Sequence, residues 1–245
     1  MFVNKTILIV ALFFSARGAI AQSTSNISLH FSYGVDLPDG DLADRFGVDF
    51  NAAAGLDYIW KNDWFAGYHA HMLLGSNVKE DVISNLRTTE GNLIGQQKNQ
   101  AIVSLRQRAF LNGIHVGKFI NISNSSFSHG PRISLGSSVL SHYIIFNDES
   151  ATVNQLLGQY GSGYDRLTRG LTLEQFIGYQ YKNDNGGVNV FGGFQFVQGF
   201  TQNVRPVDFD TRIRDDRNRI DLLFGVRLGV YIRLFEFGTA EQVYY

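Results

Sequence analysis

Apolar and polar residues alternate along much of the chain, and the alternation is longest near the C-terminal end. Residues 220–234 read IDLLFGVRLGVYIRL, in which every second residue, beginning with Ile220 and ending with Leu234, is apolar. Because the side chains of a strand point alternately to its two faces, this stretch predicts one strand with a wholly apolar face. An apolar face of this length is typical of a tilted strand that crosses a membrane, with lipid on one side and a polar lumen on the other.

The same alternation predicts seven further strands upstream. The eight predicted strands are residues 26–35, 47–60, 64–75, 100–120, 132–145, 171–181, 188–200 and 220–234. The connections alternate between long loops (residues 36–45, 76–99, 146–169 and 202–218) and short turns (residues 61–63, 121–130 and 182–186). This pattern predicts an all-β protein, an eight-stranded antiparallel transmembrane β-barrel with long extracellular loops and short periplasmic turns.

Some local features refine this prediction. Tyr58, Trp60 and Trp64 surround one short turn, as the residues of an interfacial aromatic girdle do. The fourth strand alternates least regularly, which predicts a β-bulge within it. Short helical segments are predicted within the long loops, at residues 78–87 and 153–157.

The first 21 residues have a different pattern. Lys5 precedes an apolar stretch, and Ala19-Ile20-Ala21 is a small-x-small cleavage site, so residues 1–21 are predicted to be a secretory signal peptide removed before Gln22. A membrane anchor is the alternative interpretation. Residues 22–245 then form one barrel domain. No later stretch is apolar enough for a transmembrane helix, so a signal peptide leaves the periplasm, the outer membrane or the extracellular space, and the barrel pattern favours the outer membrane.

Composition excludes several classes of function. The chain has no cysteine, so it has neither disulfides nor thiolate metal ligands. Its 21 basic and 22 acidic residues give a net charge of −1, which provides no basic field for nucleic acid. The expected partners of the predicted barrel are outer-membrane lipid and other envelope proteins, and not nucleic acid.

Several charged residues are predicted to point into the lumen. An eight-stranded barrel has room inside for side chains and little else, so buried charges there must be paired. The pattern predicts a salt-bridged plug that fills the lumen; a narrow path for ions or solutes is the alternative. The predicted lumen charges are Asp49, Asp57, Arg106, Arg108, Arg132, Glu174, Asp221, Arg227 and Arg233.

Two groups of histidines are candidate sites. His69 and His71 share one face of a strand, with His30 on a neighbouring strand, and this spacing suits a metal ion. The sequence shows no further ligand at a specific spacing, so hydrogen bonding in the lumen is the favoured interpretation and neither a metal nor another cofactor is predicted. His142, with Ser138, Ser141 and Asp148 nearby, is the candidate centre of a lipid-modifying enzyme. The chain has no G-x-S-x-G motif, so no catalytic residue is predicted.

The long loops offer a second kind of site. Tyr160, Tyr164 and Leu167 are large side chains in a loop that the topology places outside the membrane, which indicates either a contact site for another protein or a cap over the barrel mouth. Residues 205–217 carry charges of both signs, which favours a solvated loop over a specific phosphate site. The glycines at 161, 163 and 170 precede no strand-to-helix unit, which excludes a phosphate-binding loop.

Three segments carry a resemblance to a known group. They are PDGDLADRFG (residues 38–47), YIWKNDWFAG (residues 58–67) and GYDRLTRG (residues 163–170). With the terminal strand and its aromatic tail, they make the chain similar to the small outer-membrane β-barrel proteins of Bacteroidota, including the PorT-like group. The resemblance implies an outer-membrane barrel associated with envelope secretion machinery, and it brings no catalytic motif. One departure is that residues 235–245 follow the last strand.

These observations predict a non-enzymatic outer-membrane barrel that acts as a structural or accessory subunit of an envelope or secretion-associated assembly. The alternatives are a lipid-modifying barrel enzyme that uses His142, a small pore, and a secreted soluble barrel that binds a ligand.

Overall fold

Eight long strands make up most of the computed structural model, which describes residues 24–122, 127–148, 153–183 and 189–237. Each strand pairs antiparallel with its sequence neighbours, and the last pairs with the first, so the sheet closes into a barrel. The predicted fold class is confirmed. The predicted signal peptide lies outside the described residues. The strands are β1 Ser25–Gly40, β2 Asp49–Ile59, β3 Trp64–Gly75, β4 Val103–Phe119, β5 Phe127–Asp148, β6 Thr168–Asn183, β7 Asn189–Asn203 and β8 Asn218–Phe237.

The outer wall of the barrel carries a belt of exposed apolar side chains, to which all eight strands contribute. Between residues 220 and 234 of β8 the exposed side chains belong to even-numbered apolar residues, as the alternation predicts, and β2 shows the same period with Phe50, Leu56 and Tyr58 outward. A closed barrel with an apolar outer surface is stable when lipid surrounds it, and water around the same surface is unfavourable. The chain is therefore a membrane-spanning barrel. Among the described residues, no helix is both long enough and apolar enough to cross a membrane.

Aromatic side chains gather at the end of the barrel with the short turns. Tyr58 packs edge-on against Trp60 with ring centroids 5.1 Å apart, and Phe237 of β8 lies 6.2 Å from Tyr58. The Lys118 ammonium lies over the Trp64 ring. Rings with one apolar and one polar edge, beside a cation, suit the boundary between hydrocarbon and headgroups.

The strands are longer than the sequence predicts at the end with the long loops. The predicted loop of residues 36–45 is wrong in its first half, because β1 continues to Gly40, which is paired with Asp221 of β8. Pro38 is tolerated there because the ladder with β2 has already ended at Asp36, so Pro38 lies on an edge. A five-residue helix, α1 Asp41–Arg45, follows.

The loops themselves contain little regular structure. The helix predicted at residues 78–87 is reduced to a single 3₁₀ turn, Ser84–Leu86. A small ribbon pairs Leu93–Ile94 with Gln100–Ala101, so residue 100 does not belong to the barrel strand. The turn predicted at residues 153–157 forms as Asn154–Leu156 and continues into the short helix α2 Gly158–Gly161.

The orientation predicted for the charges of β4 is wrong. Gln107, Ala109 and Leu111 are buried on the inner face, so Arg106 and Arg108 belong to the outer face; Arg106 is exposed and Arg108 half-buried. The ladders of β4 with β3 and β5 are continuous, so the predicted bulge is also absent from the described strand. Arg106 and Arg108 lie near the loop end of β4, level with Ile145 and Tyr143, where the wall leaves the apolar belt.

An apolar plug fills the lumen beneath the long loops. The loops contribute Leu42, Phe46, Val82, Ile83 and Tyr164, which pack onto inward side chains of the strands. Burial of this many apolar side chains stabilises the loops against the barrel. The strand residues of the apolar plug are Leu73, Ala109, Leu111, Leu140, Ile144, Val197 and Leu223.

Candidate functional site

A polar cluster occupies the middle of the lumen, on the far side of the apolar plug from the loops. Its side chains come from seven of the eight strands, each at an inward position of the two-residue alternation. Glycines on the inner face give it room: a Cβ at Gly55 would meet the His30 ring, and one at Gly67 would meet the Asp57 carboxylate. The lumen cluster consists of His30, Asp57, His69, His71, His115, Arg132, Glu174, Arg227 and Tyr231.

Asp57 is the centre of one half of the lumen cluster. Its carboxylate is wholly buried and accepts hydrogen bonds from the Arg132 guanidinium at 3.1 Å and the Tyr231 hydroxyl at 3.0 Å. His115 Nε2 lies 2.9 Å from Asp57 Oδ1 and His30 Nδ1 lies 3.4 Å from Oδ2. Arg132 is also stacked on the Phe65 ring, 3.6 Å from its centroid. A buried carboxylate with this many donors is held in one place.

Two histidines connect Asp57 to a second carboxylate. His115 Nδ1 lies 2.7 Å from His69 Nδ1, and His69 Nε2 lies 3.1 Å from Glu174 Oε1. The Gln195 amide donates to the other Glu174 oxygen at 2.9 Å. The result is a continuous polar chain from β2 through β4 and β3 to β6.

His71 and Arg227 complete the lumen cluster. An Arg227 nitrogen lies 2.9 Å from His71 Nδ1. His69, His71 and Glu174 each offer one ligand atom, and these atoms lie within 4.8 Å of one another. A cavity of about 40 Å³, room for a few water molecules, borders His69, Glu174 and Arg227. The sequence placed both histidines on one face, but Glu174 is more than a hundred residues away and no sequence spacing brings it to them.

The remaining predicted lumen charges lie closer to the two ends of the barrel. Near the loops, Gln107 donates to Asp49 at 2.9 Å, and Thr201 donates to Asp221 at 2.5 Å. At the opposite end, half-buried Arg233 pairs with Glu236. Among the described residues, Arg132 and Asp57 are the only two of the predicted lumen charges that form an ion pair with each other.

The long loops are tied together by Arg166. Its guanidinium contacts Asp208, lies 2.6 Å from Asp210 and 3.0 Å from Glu80, and its carbonyl accepts a hydrogen bond from Arg45. Arg166 adopts a φ of 51°, a left-handed backbone conformation that an ordinary side chain adopts only when its contacts hold it there. Burial lowers the pKa of Arg45 to about 10, so Arg45 stays charged at neutral pH.

A more exposed pair lies at the edge of the loops. The Arg217 side chain donates to Asp215 and holds the pKa of that carboxyl well below its ordinary value. A carboxyl group whose pKa is lowered in the folded state stabilises the fold at pH values above its ordinary pKa. This contribution is lost as the pH falls through the lowered pKa.

Replacing Arg166 with alanine is expected to loosen the long loops without opening the barrel wall. The change leaves the buried carboxylate of Asp208 without its cation, and breaking a buried pair costs about 3–5 kcal/mol. We expect faster amide hydrogen exchange in residues 153–167 and 204–217 and unchanged protection in the strands.

Arg214→Ala is the matched control, because Arg214 pairs with Asp216 and both side chains are exposed. Such a pair contributes about 0–1 kcal/mol. Equal exchange rates in the loops of both variants would contradict the role assigned to Arg166.

The residues of the candidate enzyme site do not come together. His142 is buried against the Phe46 ring, with centroids 4.2 Å apart. The Ser138 hydroxyl is hydrogen-bonded to Thr172, Ser141 lies on the opposite face of β5, and Asp148 accepts from the Val153 amide. His142 is therefore a plug residue, with no nucleophile or carboxylate positioned beside it among these three.

The three loop residues have different environments. Tyr160 is 68% exposed, whereas Tyr164 is 6% exposed and packs edge-on against Phe209 at 5.6 Å. Leu167 is half-buried, and its carbonyl accepts the Val204 amide. The burial of Tyr164 agrees with the alternative of a cap over the barrel mouth, and of the three residues Tyr160 has the most exposed side chain.

Comparison with known proteins assigns no family to the chain. No protein-family model matches the chain, and no curated protein matches its sequence. The resemblance to the PorT-like group therefore stays a prediction.

Solved structures of small outer-membrane proteins align over most of the chain. Neisserial surface protein A is 8% identical, with a TM-score of 0.48, over 85% of this chain and 97% of that one. The attachment invasion locus protein of Yersinia pestis is 10% identical, with a TM-score of 0.42, over 86% and 99%. OprG of Pseudomonas aeruginosa is 10% identical, with a TM-score of 0.40, over 88% and 99%. Because these sequence identities and TM-scores are low, the assignment of the fold depends on the strand pairing observed in this chain.

Proposed function

We propose that this chain is a non-enzymatic barrel of the outer membrane that acts through its long loops as an accessory subunit of an envelope assembly. The observation that carries the proposal is the combination of a plugged lumen with loops fixed to one another. The apolar plug separates the lumen cluster from the loop end, which disfavours transport. The outer loop surface is then the part of the protein that remains available for contacts.

The loops form a rigid platform for such contacts. Backbone hydrogen bonds join the second long loop to α1 through Lys79 and Arg45, and join the third to the fourth through Gly163 and Phe209. Pre-ordered loops lose little conformational entropy on binding, which favours recognition of another protein. The orientation follows from the fold: the long loops face the outside and the short turns face the periplasm.

Exposed apolar side chains on the loops mark the proposed contact surface. Leu157 and Tyr160 lie on the third long loop, and Phe209 and Ile213 lie on the fourth; each is at least 39% exposed. Tyrosine and other large apolar side chains supply much of the binding energy at protein interfaces. An envelope protein as the partner agrees with the role that the PorT-like resemblance implies.

Tyr160→Ser is expected to release the partner while leaving the barrel folded. The side chain is 68% exposed, so its loss removes contact area and little packing. The measurement is affinity purification in mild detergent, combined with a photo-crosslinking residue placed at position 160 in intact cells.

Tyr33→Ser is the matched control, because Tyr33 is 58% exposed but lies on the lipid-facing wall. We expect it to keep the partner. A partner set unchanged by Tyr160→Ser, together with no crosslink from position 160, would count against the proposal. Discrete conductance steps for the wild type in a planar bilayer would favour a pore instead.

A further inference from the structure

His69, His71 and Glu174 form a set of donors that suits a metal ion. The histidines lie two residues apart on the inner face of β3, and Glu174 reaches them from β6 across the lumen. All three side chains are buried, and their ligand atoms lie within 4.8 Å of one another. Two imidazoles and one carboxylate are ligands that Zn²⁺ and similar ions take in proteins.

The hydrogen bonds around His69 leave a place for a cation. His115 Nε2 lies 2.9 Å from Asp57 Oδ1, and we assign the His115 proton to Nε2 because two facing lone pairs at this distance would repel, so His115 Nδ1 carries a lone pair. His69 Nδ1, 2.7 Å away, must then donate to it. This leaves His69 Nε2 with a lone pair 3.1 Å from Glu174 Oε1, which also carries lone pairs. Two such atoms repel unless a cation, either a proton or a metal ion, lies between them.

The neighbouring groups fit the surroundings of a bound metal. A metal-bound histidine usually donates its other nitrogen to a polar partner, which here is His115 backed by Asp57. Gln195 donates to the Glu174 oxygen that faces away from His69 and so leaves Oε1 available. The separation of 3.1 Å between His69 Nε2 and Glu174 Oε1 is close to that of two ligands on one ion with bonds of about 2.0–2.2 Å.

In the middle of the barrel the buried carboxylates outnumber the guanidiniums, which favours the binding of a further cation. Three buried carboxylates, Asp36, Asp57 and Glu174, face the two guanidiniums of Arg132 and Arg227 in the middle of the barrel. Arg227 now lies against His71, and metal binding requires its guanidinium to turn into the bordering cavity of about 40 Å³.

We propose that His69, His71 and Glu174 bind one divalent transition-metal ion of the Zn²⁺ type in the middle of the barrel. The ion joins β3 to β6 across the lumen, strands that are not neighbours in the sheet. Asp57 and His115 are positioning residues that fix the orientation of the His69 ring. The site stands independently of the proposed loop contacts.

The test is a Zn²⁺ titration of the folded chain in detergent micelles against a chromogenic chelator, with the thermal unfolding midpoint as a second readout. We expect one Zn²⁺ per chain and a midpoint that rises with Zn²⁺ concentration, because a ligand that binds the folded state stabilises it. His69→Gln and Glu174→Gln are expected to weaken binding by at least about tenfold and to abolish the rise, and His115→Gln to weaken binding by about 10–100-fold.

His129→Gln is the matched control, because His129 lies outside the lumen cluster, next to Tyr179 on the outer wall. It should bind Zn²⁺ like the wild type. Migration on an unheated gel verifies that each variant is folded, and Glu174→Gln, which keeps the size of the side chain, serves if His69→Gln does not fold. Equal Zn²⁺ affinity in the wild type and the folded ligand variant, or no binding by the folded wild type at millimolar Zn²⁺, overturns the proposal.

Discussion

Replacing Asp57 with alanine is expected to lower the free energy of unfolding by about 3–5 kcal/mol, the usual cost of breaking a buried ion pair by removing one partner. Asp57 has no exposed surface, and its loss leaves the Arg132 guanidinium, also buried, without a carboxylate. The Tyr231 hydroxyl loses its acceptor as well. Urea unfolding of the refolded barrel, followed by tryptophan fluorescence, measures the change.

A double replacement separates the ion pair from the packing. Asp57→Leu with Arg132→Met removes both charges, and the substitution of a buried pair by apolar side chains is often neutral or stabilising. The double variant should therefore be more stable than Asp57→Leu alone. A double variant that loses as much as the sum of the two single changes would show that Asp57 and Arg132 act separately.

Replacing Val226 with lysine is expected to cost about 2–4 kcal/mol, because a charge on the lipid-facing surface is penalised most at the middle of the bilayer. Val226 lies near the centre of β8, is 52% exposed on the outer wall, and is paired with Val35 and Phe194. Unfolding measured in lipid vesicles, and the fraction of protein that inserts, give the size of the effect.

Val207→Lys is the matched control, because Val207 is a partly exposed valine in the fourth long loop, in water. It should change stability by less than about 0.5 kcal/mol, as ordinary surface substitutions do. If Val226→Lys inserts and resists urea as well as this control does, the outer wall of β8 does not face lipid.

The alternation of apolar residues was sufficient to predict the barrel. On β2, β3 and β8 the period of two also predicts the correct inner and outer faces, since lipid demands an apolar side chain at each exposed position within the membrane. Long loops and short turns could be distinguished because turn-forming and charged residues interrupt the pattern at regular intervals.

The prediction that polar residues face inward is wrong on β4, where apolar side chains fill the lumen. On β4, Ala109 and Leu111 face inward because the lumen there is filled by the apolar plug. Arg106 lies on the outer face, at the loop end of the strand, where water surrounds the wall. The alternation along a strand shows that its two faces differ in polarity. It does not show whether a face contacts lipid, water or other side chains.

Local periodicity is enough to predict the number of strands, the topology and the lipid-facing surfaces of β2, β3 and β8. Which lumen groups contact one another depends on the closed barrel. Glu174 reaches His69 across the closed barrel, and Arg166 meets Glu80 and Asp208 from two other loops. Both encounters depend on how the ring of strands closes and on how the loops fold onto it. These contacts join residues distant in sequence, so no local pattern records them.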